Sequence, residues 1–299
     1  MPRSQPGAVL HSTEACVAHV LRMVAQGGIV TASGRLLATP FHSVCVHGDN
    51  AHAVATAAAV RDSLQAAGHQ LCTLPALLGL HDEWADFQPE EPTVAAAARR
   101  AAHLRLGRSG RVLEALVPAI IEQRVPGADA FRAWRMLVNR FGGPAPGPAP
   151  ARMRVFPAAD VWRTIPSWEF HRANVDPGRA RTVVLAAGRA DALERLVSRP
   201  AEAARTALMS LPGVGVWTAA EVAQRAFGDP DALSVGDYHV SKMVGWTLVG
   251  RPLDDAGMIE LLEPMRPHRH RVVRLLEVSG LAVEPRRGAR LPVQNIHAL

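Results

Sequence analysis

The sequence is poor in lysine, tyrosine and cysteine. Its 299 residues include one lysine, Lys242, one tyrosine, Tyr238, and three cysteines. Cys16, Cys45 and Cys72 are far apart and form no CxxC pair, which excludes a four-cysteine iron–sulfur cluster and argues against a structural zinc site. Isolated cysteines fit a reducing compartment. Any mechanism that needs a lysine nucleophile has a single candidate.

Long apolar runs are also missing. The run Ala51–Val60 is too short to cross a bilayer, and Met1–Gly7 has no apolar segment of the secretory type behind it. The sequence therefore predicts a cytoplasmic protein without a membrane partner. Hydrophobic residues make up 48% of the chain, which excludes overall disorder. Thirty-three basic residues against 27 acidic ones give a net charge of +6, a balance that suits a polyanionic partner.

The residue pattern changes near Pro92. Before it, helical stretches alternate with β-rich runs, which predicts a small α+β module. The predicted elements are a helix at Glu14–Ala25, strands at Ile29–Thr31, Leu36–Thr39 and Ser43–Val46, a helix at Ala51–Ala67, and a strand with a turn at Gly68–Gly79. After Pro92 helical periodicity dominates, so the predicted fold class is α+β, mainly α.

The strongest local feature is the stretch Leu211-Pro212-Gly213-Val214-Gly215 between two helical segments. Pro212 ends the first helix, and the two glycines permit positive φ and a close backbone approach. The next helix begins near Val216, so its free N–H groups face outward and favour an anion such as a DNA phosphate. An ordinary helical hairpin is the alternative interpretation.

The residues after this turn carry a family resemblance. Thr218 and Ala219 continue the turn motif, and Asp237 lies 22 residues beyond Gly215 within Val-Gly-Asp-Tyr. This arrangement resembles the helix-hairpin-helix DNA glycosylase superfamily, and within it the 3-methyladenine DNA glycosylase II (AlkA-like) branch. The resemblance is strong from Arg111 to Gly280 and weak before residue 90.

The resemblance implies a domain order. A small α+β N-terminal module would cover residues 1–90, and two helical subdomains would follow. One subdomain would combine residues 91–112 with 238–285, and the other would span residues 113–237 and contain the helix-hairpin-helix. Residues 286–299 would form a loose tail.

Asp237 falls on the family's catalytic aspartate. Cleavage of an N-glycosidic bond builds positive charge on the sugar, and a fixed carboxylate stabilises that charge or orients water. A helix N-cap is the alternative role for Asp237, because aspartate suits that position.

Trp217 falls where bifunctional members carry a catalytic lysine. Since tryptophan cannot form a Schiff base, the resemblance implies a monofunctional enzyme without lyase activity, with Trp217 as a wall of the base pocket. A core tryptophan is the alternative. The family often has a tyrosine four residues later, where this chain has Glu221. Tyr238 and Trp168 are further pocket candidates, and Glu169, Glu221 or Glu277 could supply a second carboxylate.

Further residues are expected to bind DNA. Gln123 and Arg124 fall on the family's segment that inserts into the duplex, with Arg124 filling the gap left by the flipped base. Lys242 falls near the DNA backbone. The predicted DNA-binding set is Gln123, Arg124, Leu211, Pro212, Gly213, Val214, Gly215, Thr218 and Lys242. The family's hairpin also binds a monovalent cation, Na⁺ or K⁺, through main-chain carbonyls, here those of Met209, Leu211 and Val214.

One basic cluster is a separate candidate. His268-Arg269-His270-Arg271 alternates two residue types. The arginines would repel a metal ion, so a phosphate-facing patch is the expectation and a solvated helix start is the alternative.

Taken together, these features predict a monomeric, nucleoid-associated enzyme that binds duplex DNA containing a damaged base. It would excise alkylated purines of the 3-methyladenine and 7-methylguanine type without an organic cofactor or catalytic metal. Two alternatives stay open: a glycosylase for a deaminated, oxidised or bulky lesion, and a non-catalytic DNA-binding protein.

Overall fold

The computed structural model describes residues 10, 12–31, 34–38, 53–67, 74–145 and 149–283. The chain divides into two compact units. The first comprises Met1–Leu71 and Pro144–Met153, and the second comprises Cys72–Gly143 and Arg154–Leu299. The predicted fold class is confirmed, because the chain is mainly helical and has a two-stranded sheet near its start.

The first unit contains two helices and a short hairpin. Helix α1 spans Thr13–Gln26, strands β1 and β2 span Gly28–Val30 and Leu36–Ala38, and helix α2 spans Ala53–Ala66. The strands pair antiparallel, with Ile29 opposite Leu37. The helices pack together through a small cluster that includes Val20, Val60 and Leu64. The strand predicted at Ser43–Val46 lies outside the described residues.

The second unit is helical throughout its described part. Its first helix, α3, is a single turn at Leu74–Leu77, where the sequence had predicted strand and turn. Pro75 suits the first turn of a helix, where its missing N–H has no cost. The helices that follow are α4 Pro92–Arg100, α5 Val112–Ile121, α6 Gly127–Phe141, α7 Ala159–Thr164, α8 Ser167–Arg172, α9 Pro177–Ala187, α10 Ala190–Glu194, α11 Ala201–Met209, α12 Val216–Val222, α13 Val240–Val249, α14 Asp255–Leu262 and α15 Arg269–Ser279.

Carboxylates close the N-termini of four of these helices. Glu91 accepts the Val94 N–H at the start of α4, and Asp254 accepts the Gly257 N–H at the start of α14. Asp176 caps α9 in the same manner. Helix α5 has no local cap, and the Glu194 carboxylate of α10 accepts its first two N–H groups at 2.8 and 3.0 Å. These caps satisfy donors that the helices cannot pair internally.

Two large hydrophobic cores lie within the helical unit, beside a small cluster of Ala220, Ala223 and Ala232. The larger core joins α5 and α6 to α7–α12 around Leu116, Ile120, Trp162 and Phe170. The second core joins α4 to α13–α15 around Val94, Val244, Met258 and Leu276. The division of this region into subdomains at residues 91–112, 113–237 and 238–285 stays a prediction.

The basic cluster at the start of α15 is buried, so the expected phosphate-facing patch is wrong. Arg271 is 0% exposed, and its guanidinium donates to the two carboxylate oxygens of Asp82 at 2.5 and 2.8 Å. Arg269 is buried against Asp231 at 2.7 Å. The sequence pattern could not reveal this pairing, since Asp82 lies 189 residues before Arg271.

His270, between these two arginines, gives a pH-dependence prediction. Burial, with the positive charges of Arg274 and Arg225, lowers the pKa of His270 to about 3. In the unfolded chain this histidine is protonated as the pH falls below about 6.5, whereas in the folded chain it stays neutral. Stability contributed by neutral His270 is therefore complete above pH 6.5 and is lost as the pH falls.

We expect the wild-type free energy of unfolding to depend more steeply on pH than that of His270→Leu. Between pH 6.5 and 5, the slopes of the two free energies of unfolding against pH should differ by up to about 1.4 kcal/mol per pH unit. Urea denaturation at several pH values measures it. Equal slopes in the two proteins would contradict the prediction.

The described residues contain neither a membrane-spanning helix nor a cluster of metal ligands. Among them, no helix combines the length and apolar character needed to cross a membrane. Within the same described ranges, no group of three or more His, Cys, Asp or Glu side chains is arranged to hold a metal ion.

Candidate active site

The predicted hairpin connects α11 to α12. Leu211 and Val214 are buried and anchor the turn in the larger core, while Pro212 and Gly213 face outward. Gly213 has φ of 86°, and a Cβ there would collide with the Thr182 side chain of α9. Only glycine therefore suits this position, because of its backbone angle and its close neighbour.

Helix α12 starts without a side-chain cap. Its N-cap residue is Gly215, whose backbone carbonyl accepts the Ala219 N–H at 2.9 Å. The chain continues from α12 into a π-helical turn, Ala223–Phe227. In contrast to the four carboxylate-capped helices, α12 leaves its first N–H groups available for an anion.

The three carbonyls predicted to hold a monovalent cation lie around the same turn. The Leu211 carbonyl accepts the Val214 N–H at 3.0 Å. Within the described part of the chain, no hydrogen bond reaches the carbonyls of Met209 and Val214. Two unsatisfied carbonyls beside a third are compatible with a cation, and the site stays a prediction.

Arg124 lies at the tip of the loop after α5. It is exposed, has φ of 57° and forms no ion pair within the described residues. A left-handed backbone at a non-glycine residue costs energy and often marks a functional position. Two contacts fix the loop. Gln123 donates to the Gly213 carbonyl at 2.9 Å and to the Thr218 hydroxyl at 2.8 Å, and buried Arg179 donates to the Ile121 carbonyl at 2.5 Å.

Asp237 lies half-buried in the turn before α13. Its Oδ1 accepts the N–H groups of His239 and Val240 at 2.8 and 3.1 Å, so it caps the turn that leads into α13, whose own N-cap residue is His239. Its Oδ2 accepts the Trp217 indole N–H at 3.3 Å. Capping and catalysis are compatible here, because one oxygen anchors the turn and the other faces the tryptophan.

Tyr238 and Lys242 lie beside this turn. The Tyr238 ring is 69% exposed, and the Lys242 ammonium sits 3.7 Å from its centroid. This cation–π contact covers one face of the tyrosine. Tyr238 thus lies next to Asp237 in sequence, with its ring on the surface rather than in an enclosed pocket.

The predicted pocket roles of Glu221 and Trp168 stay predictions. Both Glu221 carboxylate oxygens have close partners, Arg225 at 2.6 Å and the Ser234 hydroxyl at 2.7 Å. Trp168 on α8 is 64% exposed, and no ring contact or hydrogen bond joins it to Trp217 or Asp237 in the described chain. Glu169 is likewise engaged, by Arg140 at 2.6 Å.

Several residues that support the site were missed by sequence reasoning. Arg179 lies three, four and seven residues before buried Thr182, Val183 and Ala186, so a charged residue on an apolar stripe was the available signal. Gln224, Arg225 and Ser234 gave no such signal. Glu122 beside the loop was also missed. Burial raises its pKa, Arg225 at 3.8 Å opposes that rise, and Glu221 adds to it.

A cavity of about 830 Å³ borders the hairpin. Pro212 and Gly213 form part of its wall, together with α9 and the α7–α8 connection. Trp217 and Asp237 do not line it. Arg163 and Arg181 do line it, and neither forms an ion pair within the described residues.

Comparison with solved structures identifies the fold of the helical unit. The 3-methyladenine DNA glycosylase from Archaeoglobus fulgidus superposes with a TM-score of 0.56 and 21% identity, covering 78% of this chain and 77% of that one. An 8-oxoguanine glycosylase/lyase from Clostridium acetobutylicum gives a TM-score of 0.57 at 15% identity, covering 68% and 73%. Over the part that superposes, the chain therefore shares its fold with these DNA glycosylases.

Sequence comparison matches the start of the chain to a different family. Residues 1–79 match the LamB/YcsF family. A 5-oxoprolinase subunit from Azoarcus sp. (strain BH72) is 51% identical over 73 residues, which are 24% of this chain and 28% of that protein. The corresponding 5-oxoprolinase subunit from Azorhizobium caulinodans is 48% identical over 68 residues, covering 23% and 27%.

This chain thus spans about 28% of the length of the first of these relatives. The family matched over residues 1–79 differs from the one that the resemblance implied for this region, and the N-terminal module at residues 1–90 stays a prediction.

Proposed function

We propose that the helical unit is a monofunctional DNA glycosylase. It excises alkylated purines of the 3-methyladenine and 7-methylguanine type from duplex DNA by base flipping. The observation that carries the proposal is the Trp217–Asp237 pair beside an uncapped helix-hairpin-helix turn. The proposal includes a cytoplasmic monomer that acts without an organic cofactor.

The geometry of Asp237 supports a role in charge stabilisation. Two backbone N–H groups hold one oxygen, and the indole N–H holds the other. A carboxylate fixed before the reaction stabilises the positive sugar without reorganising. An alkylated purine is already cationic and leaves without strong acid help, so one carboxylate is sufficient. The same cationic base would be attracted to the π face of Trp217.

The distribution of paired arginines supports DNA binding at the hairpin face. Arg124, Arg163 and Arg181 surround the hairpin and have no carboxylate partner within the described chain. Several arginines around α14 and α15 are neutralised instead, by these pairs: Arg266–Glu263, Arg269–Asp231, Arg271–Asp82 and Arg274–Glu277. Positive charge left without an internal partner is available to phosphates.

Trp217 supports the absence of lyase activity. It lies on the first turn of α12, where a Schiff-base lysine would be expected in a bifunctional enzyme, and its indole is engaged with Asp237. Lys242, the chain's single lysine, contacts the Tyr238 ring. No other amine side chain is present in the sequence to form the intermediate.

The test is base release from duplex oligonucleotides that carry one lesion each. The panel contains 7-methylguanine, a stable 3-methyladenine analogue, hypoxanthine, ethenoadenine and uracil. We expect release of the methylated purines, with strand cleavage only after hot alkali. Cleavage without alkali would contradict the monofunctional assignment. Release of another base would change the substrate, and tight binding without any release would favour a non-catalytic DNA-binding protein.

The backbone of Arg124 gives a prediction that separates function from stability. Arg124→Gly removes the inserted side chain but relieves a left-handed backbone, which favours glycine by about 1 kcal/mol. We expect the variant to unfold at an unchanged or slightly higher urea concentration and to release base at least about 10-fold more slowly.

Arg135→Gly on α6 is the matched control, because it removes an arginine at a position of helical backbone. It should lose about 1 kcal/mol of stability and keep its activity. An Arg124→Gly protein that is less stable yet fully active would refute the assigned role.

A further inference from the structure

The turn that carries Asp237 is held against α12 at two points. Trp217 and Glu221 are four residues apart, so both project from one face of α12, one turn from each other. Trp217 reaches the Asp237 carboxylate at 3.3 Å, and Glu221 reaches the Ser234 hydroxyl at 2.7 Å. Since Ser234 and Asp237 begin and end the same turn, α12 contacts both of its ends.

Ser234 is the hub of the second contact. It is buried, donates its hydroxyl to Glu221 and accepts the Gln224 amide at 2.8 Å. The same amide donates to the Ala232 carbonyl at 2.8 Å. The Ser234 carbonyl accepts the Asp237 N–H at 3.2 Å, which links the hub directly to the aspartate.

Gln224 and Arg225, which lie in the π-helical turn after α12, also belong to this cluster. Arg225 donates to the second Glu221 oxygen at 2.6 Å, so the carboxylate is held from both sides. A π turn is energetically poor and tends to persist where it serves a site. Here it accompanies a second side chain, Gln224, aimed at the buried hydroxyl of Ser234.

We propose that Glu221 is a positioning residue for Asp237 and acts through Ser234. This inference deepens the proposed glycosylase function and rests on it. Glu221 holds Ser234, Ser234 fixes the turn, and the turn sets where the Asp237 carboxylate stands relative to Trp217. Glu221 does not contact the base in this arrangement, in contrast to the pocket role that the sequence suggested.

The test compares single-turnover base release and affinity for an abasic-site duplex in the full chain. Glu221→Ala and Ser234→Ala should each slow base release by about 10-fold to 100-fold, since a small displacement of a catalytic group has effects of this size. Affinity for DNA should change less than about 2-fold. Glu221→Gln keeps an oxygen that accepts from Ser234 and should recover most of the rate.

Two comparisons distinguish positioning from general damage. Glu114→Ala removes another intrahelical Arg–Glu pair at the start of α5, a helix length away from the Gln123–Arg124 loop, and should keep the wild-type rate. In an Asp237→Asn background, Glu221→Ala should have no further effect on the rate. The double variant Glu221→Ala/Ser234→Ala should be no slower than either single variant.

Each other result has a definite meaning. A Glu221→Ala protein with the full rate overturns the inference and leaves the glycosylase proposal intact. A changed preference among lesions, or equal losses in Glu221→Gln and Glu221→Ala, would mean that Glu221 contacts the base and would also overturn it. A wild-type chain that releases no base from the panel overturns both proposals.

Discussion

Replacing Asp237 by asparagine is expected to slow base release by about 100-fold to 1,000-fold while leaving the affinity for DNA unchanged. Asparagine retains an oxygen that can accept from His239 and Val240, and it caps helices about as well as aspartate. The fold and the turn should therefore survive. Only the negative charge that faces the developing sugar cation is removed.

Asp254→Asn is the matched control for this variant. Asp254 caps α14 through the Gly257 N–H at 2.8 Å, so the same chemical change is made at a helix start that has no part in the proposed site. Single-turnover assays on the preferred lesion should show wild-type rates for this control. An Asp237→Asn protein with a wild-type rate would leave Asp237 as a cap alone and would refute the proposed mechanism.

The second large effect concerns stability. Asp82→Ala should lower the free energy of unfolding by about 3–5 kcal/mol, because it leaves the Arg271 guanidinium buried and uncompensated. The substitution also removes the acceptor of the Leu106 N–H, which donates to Asp82 at 2.8 Å. Burial raises the pKa of Asp82, but the hydrogen bonds from Arg271 and Leu106 outweigh it and hold that pKa below its usual value.

Urea denaturation of four variants tests this account: Asp82→Ala, Asp86→Ala, Arg271→Met and the double variant Asp82→Ala/Arg271→Met. Asp86→Ala, an exposed aspartate four residues later, should change stability by less than about 0.5 kcal/mol. The double variant Asp82→Ala/Arg271→Met should be less destabilised than the sum of its single changes, because no lone buried charge remains. Equal stabilities for Asp82→Ala and Asp86→Ala would show that the buried pair contributes nothing.

The sequence was most informative where the signal was local. Proline, glycine and helical periodicity predicted the hairpin and most of the long helices, because these features depend on neighbours within a few residues. The family resemblance singled out Trp217 and Asp237 separately, but the contact between them, 20 residues apart, was not predicted.

Contacts between distant segments could not be predicted. Nothing near Arg271 indicates that Asp82 neutralises it, so a buried arginine was interpreted as a surface one. Glu221 was assigned to a base pocket because it occupies the position of the family's tyrosine, and its hydrogen bond to Ser234, 13 residues away, could not be seen in the sequence.

The family match over residues 1–79 was missed for another reason. A helix, short strands and an alanine-rich helix in this order suit more than one family, and order and length alone could not separate them. Identity to the oxoprolinase subunits does separate them, since it depends on the residues themselves.

The Asp82–Arg271 pair also bears on where the helical unit can be divided from the rest of the chain. Trp84 and Phe87 belong to the second core, and Asp82 holds α15 from the same short segment. A truncated protein that starts at Pro92 would keep every helix from α4 onward. It would, however, leave the Arg271 guanidinium without its carboxylate partner. A shorter deletion, ending before Leu74, preserves the Asp82–Arg271 pair and is the better starting point for expressing the helical unit alone.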